Sequence, residues 1–253
     1  MQKHLLGFSS IRVIRMIRGS LFFLGPARSI AWLYFLILCL AGQILQAAEA
    51  AVPTWPAFPT WAERIESPNH SERHSDKITA IIYHYTAGGS LDGSVKEFQK
   101  TASKVSAHYV IGHDGKVVQM VPLDLAAWHA GESVLAGKEH VNDFSIGIEI
   151  VNFGKLTKRG DKFYNWTKVP YEGPTPLHAE GAYWEPFTDK QYESLVRLTK
   201  ELIEKYPIDH ITGHSHIALP IGRKTDPGAG FDWKRVQKEL PKSYTGQFGP
   251  IKR

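Results

Sequence analysis

Beyond residue 50 the 253-residue chain has no cysteine; its single one, Cys39, lies in an apolar N-terminal run. The body of the protein therefore has no disulfide framework, no thiolate metal ligand and no cysteine nucleophile. Excess charge of one sign is also missing. The formal net charge is +5, but Lys3, Arg12, Arg15, Arg18 and Arg28 stand against Glu49 alone in residues 1–50. The remainder holds 25 basic and 24 acidic residues, which is close to neutrality. Such a body gives no electrostatic footprint for nucleic acid. No internal repeat is present either, which excludes a solenoid or propeller.

The N-terminus reads as an export signal. Basic residues precede the apolar run 30–45, interrupted only by Gly42 and Gln43, and Ala48-Glu49-Ala50 forms a small-x-small cleavage site. The mature chain is expected to start near Ala51, in the periplasm or cell envelope of a bacterium. Left uncleaved, the same run would be a membrane anchor, although it falls short of the ~20 residues a spanning helix needs. Met16 offers an alternative start, which would shorten the basic region. Leu38 before Cys39 is not the small residue a lipid-anchor site requires.

Residues 51–76, rich in Pro, Trp, Ser and His, have no period and are expected to wrap the surface as an N-terminal arm. The domain proper, 77–253, alternates strand and helix signals. Residues 78–84, 107–111, 116–121 and 145–151 are β-prone, and His113-Asp114-Gly115 marks a hairpin. Residues 94–101 have a helical pattern. Thr188-Asp-Lys-Gln191 is a capping box opening a helix that stops near Tyr206-Pro207. Residues 209–212 form a further strand and 233–240 a last helix. The alternation argues for an α/β fold, a mixed sheet with helices packed on it. The Gly- and aromatic-rich stretch at about 155–185 is too long for a bare loop and predicts a lid or an inserted hairpin.

Three distant residues suit a metal. His84 ends the run Ile-Ile-Tyr-His-Tyr-Thr, His214 lies in Ile-Thr-Gly-His-Ser-His, and Asp226 lies in Gly-Arg-Lys-Thr-Asp-Pro-Gly. Two imidazoles and a carboxylate are a catalytic zinc set, with the fourth position open to water or substrate. The chain has 12 histidines, so unrelated surface or core histidines also satisfy this spacing. Glu149, among the isoleucines of Ser-Ile-Gly-Ile-Glu-Ile, is either half of a structural ion pair or a general base whose pKa burial raises. Lys224, two residues before Asp226, could donate to the oxyanion of a tetrahedral intermediate.

In order, I-I-Y-H-Y-T-A, V-S-A-H-Y-V-I, A-W-H-A-G, S-I-G-I-E-I, F-T-D-K-Q-Y and G-R-K-T-D-P-G resemble the zinc-dependent N-acetylmuramoyl-L-alanine amidases. The superfamily also includes phage lysozyme-type amidases and peptidoglycan recognition proteins. The resemblance covers roughly residues 78–238. It implies a central mixed β-sheet flanked by helices, with a zinc groove at one sheet edge. It implies one Zn2+ on His84, His214 and Asp226, with Glu149 and Lys224 as the catalytic pair. His108, Trp128 and His129 are implied as substrate-binding, with His108 alternatively structural. The substrate would be peptidoglycan or muropeptides, cut between the lactyl group of N-acetylmuramic acid and L-alanine. A peptidoglycan-binding module without activity and a zinc peptidase acting within the stem peptide are the alternatives. The chain departs from the family pattern in residues 217–222, which carry two extra residues before Arg223, and in His216, an additional imidazole beside a ligand.

Overall fold

A computed structural model describes Trp55 and residues 58–251. The predicted export signal lies outside the described residues. In chain order the strands are β1 (Glu63–Arg64), β2 (His70–Glu72), β3 (Ala80–Tyr85), β4 (Tyr109–Ile111), β5 (Val117–Gln119), β6 (Leu125–Ala127), β7 (Val134–Leu135), β8 (Lys138–Glu139) and β9 (Ser145–Ile150). They continue with β10 (Lys155–Arg159), β11 (Lys162–Tyr164), β12 (Leu177–Ala179), β13 (Ala182–Trp184), β14 (His210–Gly213) and β15 (Gln247–Phe248). The α-helices are α1 (Leu91–Gln99), α2 (Asp189–Lys205) and α3 (Trp233–Glu239). None of the described helices is long and apolar enough to cross a membrane.

The central sheet has seven strands in the order β1-β5-β4-β9-β3-β14-β15. It is mixed: β4 and β5 run antiparallel as a hairpin, and the other pairs are parallel. Gly115, at φ +81, makes the hairpin turn that His113-Asp114-Gly115 predicts. The central strands β3 and β9 are runs of β-branched residues because both faces are covered. On one face Ile81, Tyr83, Ile146, Ile148 and Ile150 pack beneath α2 and α3 with Leu195, Leu198, Leu202 and Val236. Tyr83 seals this layer: its hydroxyl meets Thr199 Oγ1 at 2.7 Å and its ring stacks on Trp233. The capping box is formed, with Gln191 N–H donating to Thr188 Oγ1 and Thr188 N–H donating to Gln191 Oε1.

The opposite face is divided. Val95 and Phe98 of α1 cover Val110 and Val118. Ala130, Leu135, Val141 and Phe144 cover Ala80 and Ile82. Strand alternation puts His84 and Glu149 on this second face. The register aligns them side by side, and the next step along β14 brings His214 beside His84.

Two regions differ from the sequence reading. The N-terminal arm does more than wrap the surface: β1 is the edge strand of the central sheet and β2 pairs with β6. Asn69 fixes this segment by donating from Nδ2 to the carbonyls of Phe98, Lys100 and Val105. The stretch at 155–185 is two hairpins rather than one, joined as a four-stranded antiparallel sheet in the order β11-β10-β13-β12.

Candidate metal centre

His84 lies near the C-terminal end of β3 and His214 just beyond that of β14, the fifth and sixth of the seven strands. Asp226 reaches them from the following loop. Gly213 lets that loop close, since a Cβ there would meet Pro227 Cδ at 2.4 Å. All three residues are buried. His84 Nδ1 and His214 Nδ1 are 3.0 Å apart, and Asp226 Oδ2 is 2.9 Å from the first and 3.1 Å from the second.

The hydrogen bonds behind the rings decide which nitrogens carry protons. His214 Nε2 faces the Ala130 carbonyl at 3.0 Å. A carbonyl only accepts, so Nε2 carries a proton, and in its singly protonated form the ring turns a bare Nδ1 inward. His84 Nε2 faces His129 Nδ1 at 3.1 Å, and His129 Nε2 faces Ser145 Oγ at 3.1 Å. The Ser145 hydroxyl donates to the Val141 carbonyl at 2.6 Å, so its oxygen accepts from His129. His129 then accepts from His84, whose Nδ1 is bare as well. Two lone pairs and a carboxylate oxygen therefore converge at about 3 Å, a donor set that repels itself unless a cation lies between. These residues fit a metal ion, and they form the metal-ligand group found among the described residues.

Charge follows the same logic. Burial pushes His84 down to about 4, against the Asp226 hydrogen bond that favours its cation. Burial alone would raise Asp226, but the facing His214 and His84 rings outweigh it and hold the carboxyl below its ordinary value. Glu149 is pushed up to about 8, by burial first and by the Asp226 charge second, with Lys224 opposing. Glu149 Oε2 is buried without a hydrogen-bond partner among the described residues. The structural ion pair that sequence allowed for Glu149 is not formed among them. Lys224 is exposed on the loop before Asp226 and acts on Glu149 and His84 through space.

The residues read as substrate-binding fare differently. His108 is fully buried; its Nδ1 accepts from Gly147 N–H and its Nε2 lies 3.1 Å from the Leu125 carbonyl. His129 is buried, and both its ring nitrogens are taken by protein groups. Neither has a free polar edge for a ligand, so both histidines are internal. Trp128 is half-buried, with its indole N–H donating to Ser71 Oγ. His216 turns from the ligand group, with Nδ1 3.3 Å from Thr212 Oγ1 and its ring near Trp233.

Sequence reasoning missed Arg73, Asn142 and Ser145. The Arg73 guanidinium donates to the carbonyls of Leu123, Asn142, Asp143 and Ser145, holding the start of β9 in place. Asn142 Oδ1 accepts from the backbone N–H groups of His129 and Ala130. No motif marks Arg73 or Asn142, because their partners here are backbone groups distant in sequence, and Ser145 reads in sequence only as the start of a strand.

A mixed sheet carrying a His–His–Asp group that could hold a metal, beside a glutamate whose Oε2 is buried without a partner among the described residues, is the arrangement of a hydrolase. Residues 74–229 match the N-acetylmuramoyl-L-alanine amidase family model. The chain is similar to a 1,6-anhydro-N-acetylmuramyl-L-alanine amidase AmpD of Enterobacter cloacae, 37% identical over 202 residues, covering 72% of this chain and 91% of that protein. The AmpD of Citrobacter freundii is 41% identical over 196 residues, covering 70% and 88%. Among solved structures, a selenomethionine AmpD derivative superposes with a TM-score of 0.53 at 32% identity, covering 74% of this chain and 97% of the other. AmiD of E. coli, in complex with anhydro-N-acetylmuramic acid-L-Ala-D-gamma-Glu-L-Lys, gives 0.51 at 28% identity, covering 68% and 65%. The chain belongs to the N-acetylmuramoyl-L-alanine amidase family, and it is an amide hydrolase of the bond between N-acetylmuramic acid and L-alanine.

Proposed function

We propose that the chain is a zinc-dependent amidase of exported location that acts on muropeptides, including those with a 1,6-anhydro sugar end. The observation that carries the zinc reading is the convergence of two bare imidazole nitrogens and one carboxylate oxygen next to Glu149. His84, His214 and Asp226 would hold the ion. Zinc supplies Lewis acidity there, making water acidic near neutral pH and polarising the amide carbonyl. Glu149 accepts the proton of the attacking water and returns it to the departing amine of L-alanine. Its raised pKa is that of the metal-free site; a dication held by His84, His214 and Asp226 would oppose that rise and favour the carboxylate. Lys224 donates to the carbonyl oxygen as negative charge builds on it. The names of the AmpD relatives and the ligand of AmiD support an anhydro-muropeptide substrate. The N-terminal pattern of residues 1–50 supports export.

The test is digestion of purified sacculi and of anhydro-muropeptides, with and without a chelator, read by mass spectrometry. Intact stem peptides beginning at L-alanine are expected from untreated protein and none after chelation. Stems cut internally would point to a peptidase, and a protein purified without stoichiometric zinc would remove the metal reading. Cell fractionation with N-terminal sequencing from Ala51 tests the export proposal.

A further inference from the structure

We propose that His129 is a positioning residue for the metal: wedged between Ser145 and His84, it fixes the proton arrangement that leaves His84 Nδ1 free to coordinate. The inference rests on the metal reading above.

The chain of contacts runs from the Val141 carbonyl through Ser145 Oγ (2.6 Å), His129 Nε2 (3.1 Å) and Nδ1, to His84 Nε2 (3.1 Å). It has two internally consistent directions. In the first, Ser145 donates to Val141, His129 donates to Ser145, His84 donates to His129, and Nδ1 of His84 is bare. In the second, every proton is reversed and His84 Nδ1–H points at Asp226 and His214, which blocks coordination. The reversed order also leaves Ser145 Oγ and the Val141 carbonyl oxygen 2.6 Å apart with no proton between them, a closer contact than the 3.1 Å to His129 Nε2. The structure thus selects the metal-competent order at a place remote from the ligands.

The fold spends several residues on holding this ring. Position 147 must lack a side chain, because a Cβ there would lie 2.4 Å from His129 Cγ. Asn142 pins the backbone of His129 and Ala130. The His129 ring stands edge-on to His84 at 82°, which aims Nδ1 at its partner. His214 is oriented by a backbone carbonyl, which substitution leaves in place. His84 depends on a side chain, so its arrangement can be tested.

Zinc affinity is measured by competition with a chromophoric chelator for wild type, His129→Leu, His129→Asn and Ser145→Ala. His129→Leu removes the acceptor at similar size and is expected to weaken zinc binding about 10–100-fold, the usual scale for an outer partner of a metal-bound histidine. Asn presents an oxygen near the place of Nδ1 and is expected to restore most of that loss. Ser145→Ala frees the ring to reverse and is expected to weaken binding to a lesser degree. In the zinc-loaded wild type, imidazole 15N spectra are expected to show His129 protonated at Nε2. A folded His129→Leu with wild-type affinity overturns the proposal, as does protonation at Nδ1. Should His129→Leu not fold, Ser145→Ala and the 15N spectrum decide. A wild type that binds no zinc would instead remove the metal reading, so the two failures are distinguishable.

Discussion

At Glu149, stability and activity oppose one another. In the metal-free protein its pKa of about 8 exceeds the ordinary glutamate value, so the folded state holds a proton that the unfolded chain releases. The stabilisation is complete below about pH 4 and is lost as pH rises through 8. Glu149→Gln keeps the shape and cannot ionise. In chelator, its melting temperature should therefore rise relative to wild type between pH 5 and 9, while zinc-loaded activity falls ~10²–10⁴-fold. Parallel melting profiles for the two proteins would refute the burial argument; near-normal turnover would refute the base. His108 and His129 show the limit of reading single residues. Their motifs mark them as important, but a histidine in sequence does not reveal whether its ring nitrogens meet protein or substrate. Only packing against Gly147 and Ser145 separates the cases.

Among elements, α2 and the insertion carry separable roles. Thr188 accepts from Gln191 N–H and its hydroxyl donates to the His113 carbonyl, so it caps α2 and ties the β4–β5 turn to it. Thr188→Ala should cost about 1–2 kcal/mol in denaturant titration, with kcat and KM unchanged; altered kinetics would show coupling between this helix and the site. The insertion presents Trp166, 68% exposed, on a turn held by Asn165 Oδ1, which accepts from Thr167 N, Thr167 Oγ1 and Val169 N. Its indole N–H donates to the Ala87 carbonyl, three residues beyond His84. An exposed aromatic face so fixed suits an apolar sugar face. Trp166→Ala should raise KM for glycan-bearing substrate several-fold and leave kcat unchanged; an unaltered KM would place the insertion outside the substrate path. The strands β3, β4, β5 and β9 and the helix α2 were legible because apolar periodicity and a capping box mark them. The strands β1 and β2 were not: Glu63-Arg64 and His70-Ser71-Glu72 carry no apolar alternation, and only their pairing partners define them.

For the whole molecule, fold and site were legible to different depths. Ordered motifs fixed the sheet and brought His84, His214 and Asp226 together, but the relay behind them joins residues 129, 141, 145 and 84, a pattern with no local period. With zinc present at a thousand times its dissociation constant, linkage adds about 4 kcal/mol to folding. Chelation should therefore lower the melting temperature by roughly 10 °C for a domain of this size; an unmoved transition would argue against a bound ion. The loop that carries Asp226 is clamped by Arg223, which donates to the Leu219 carbonyl at 2.6 Å and to the Glu132 carbonyl at 2.8 Å. Residues 220–222 form the turn that this clamp closes, and Ile221 at its tip is 73% exposed. Chain length at this tip is uncoupled from ligand spacing, which makes it a natural seat for a grafted fluorophore or affinity peptide on a working enzyme.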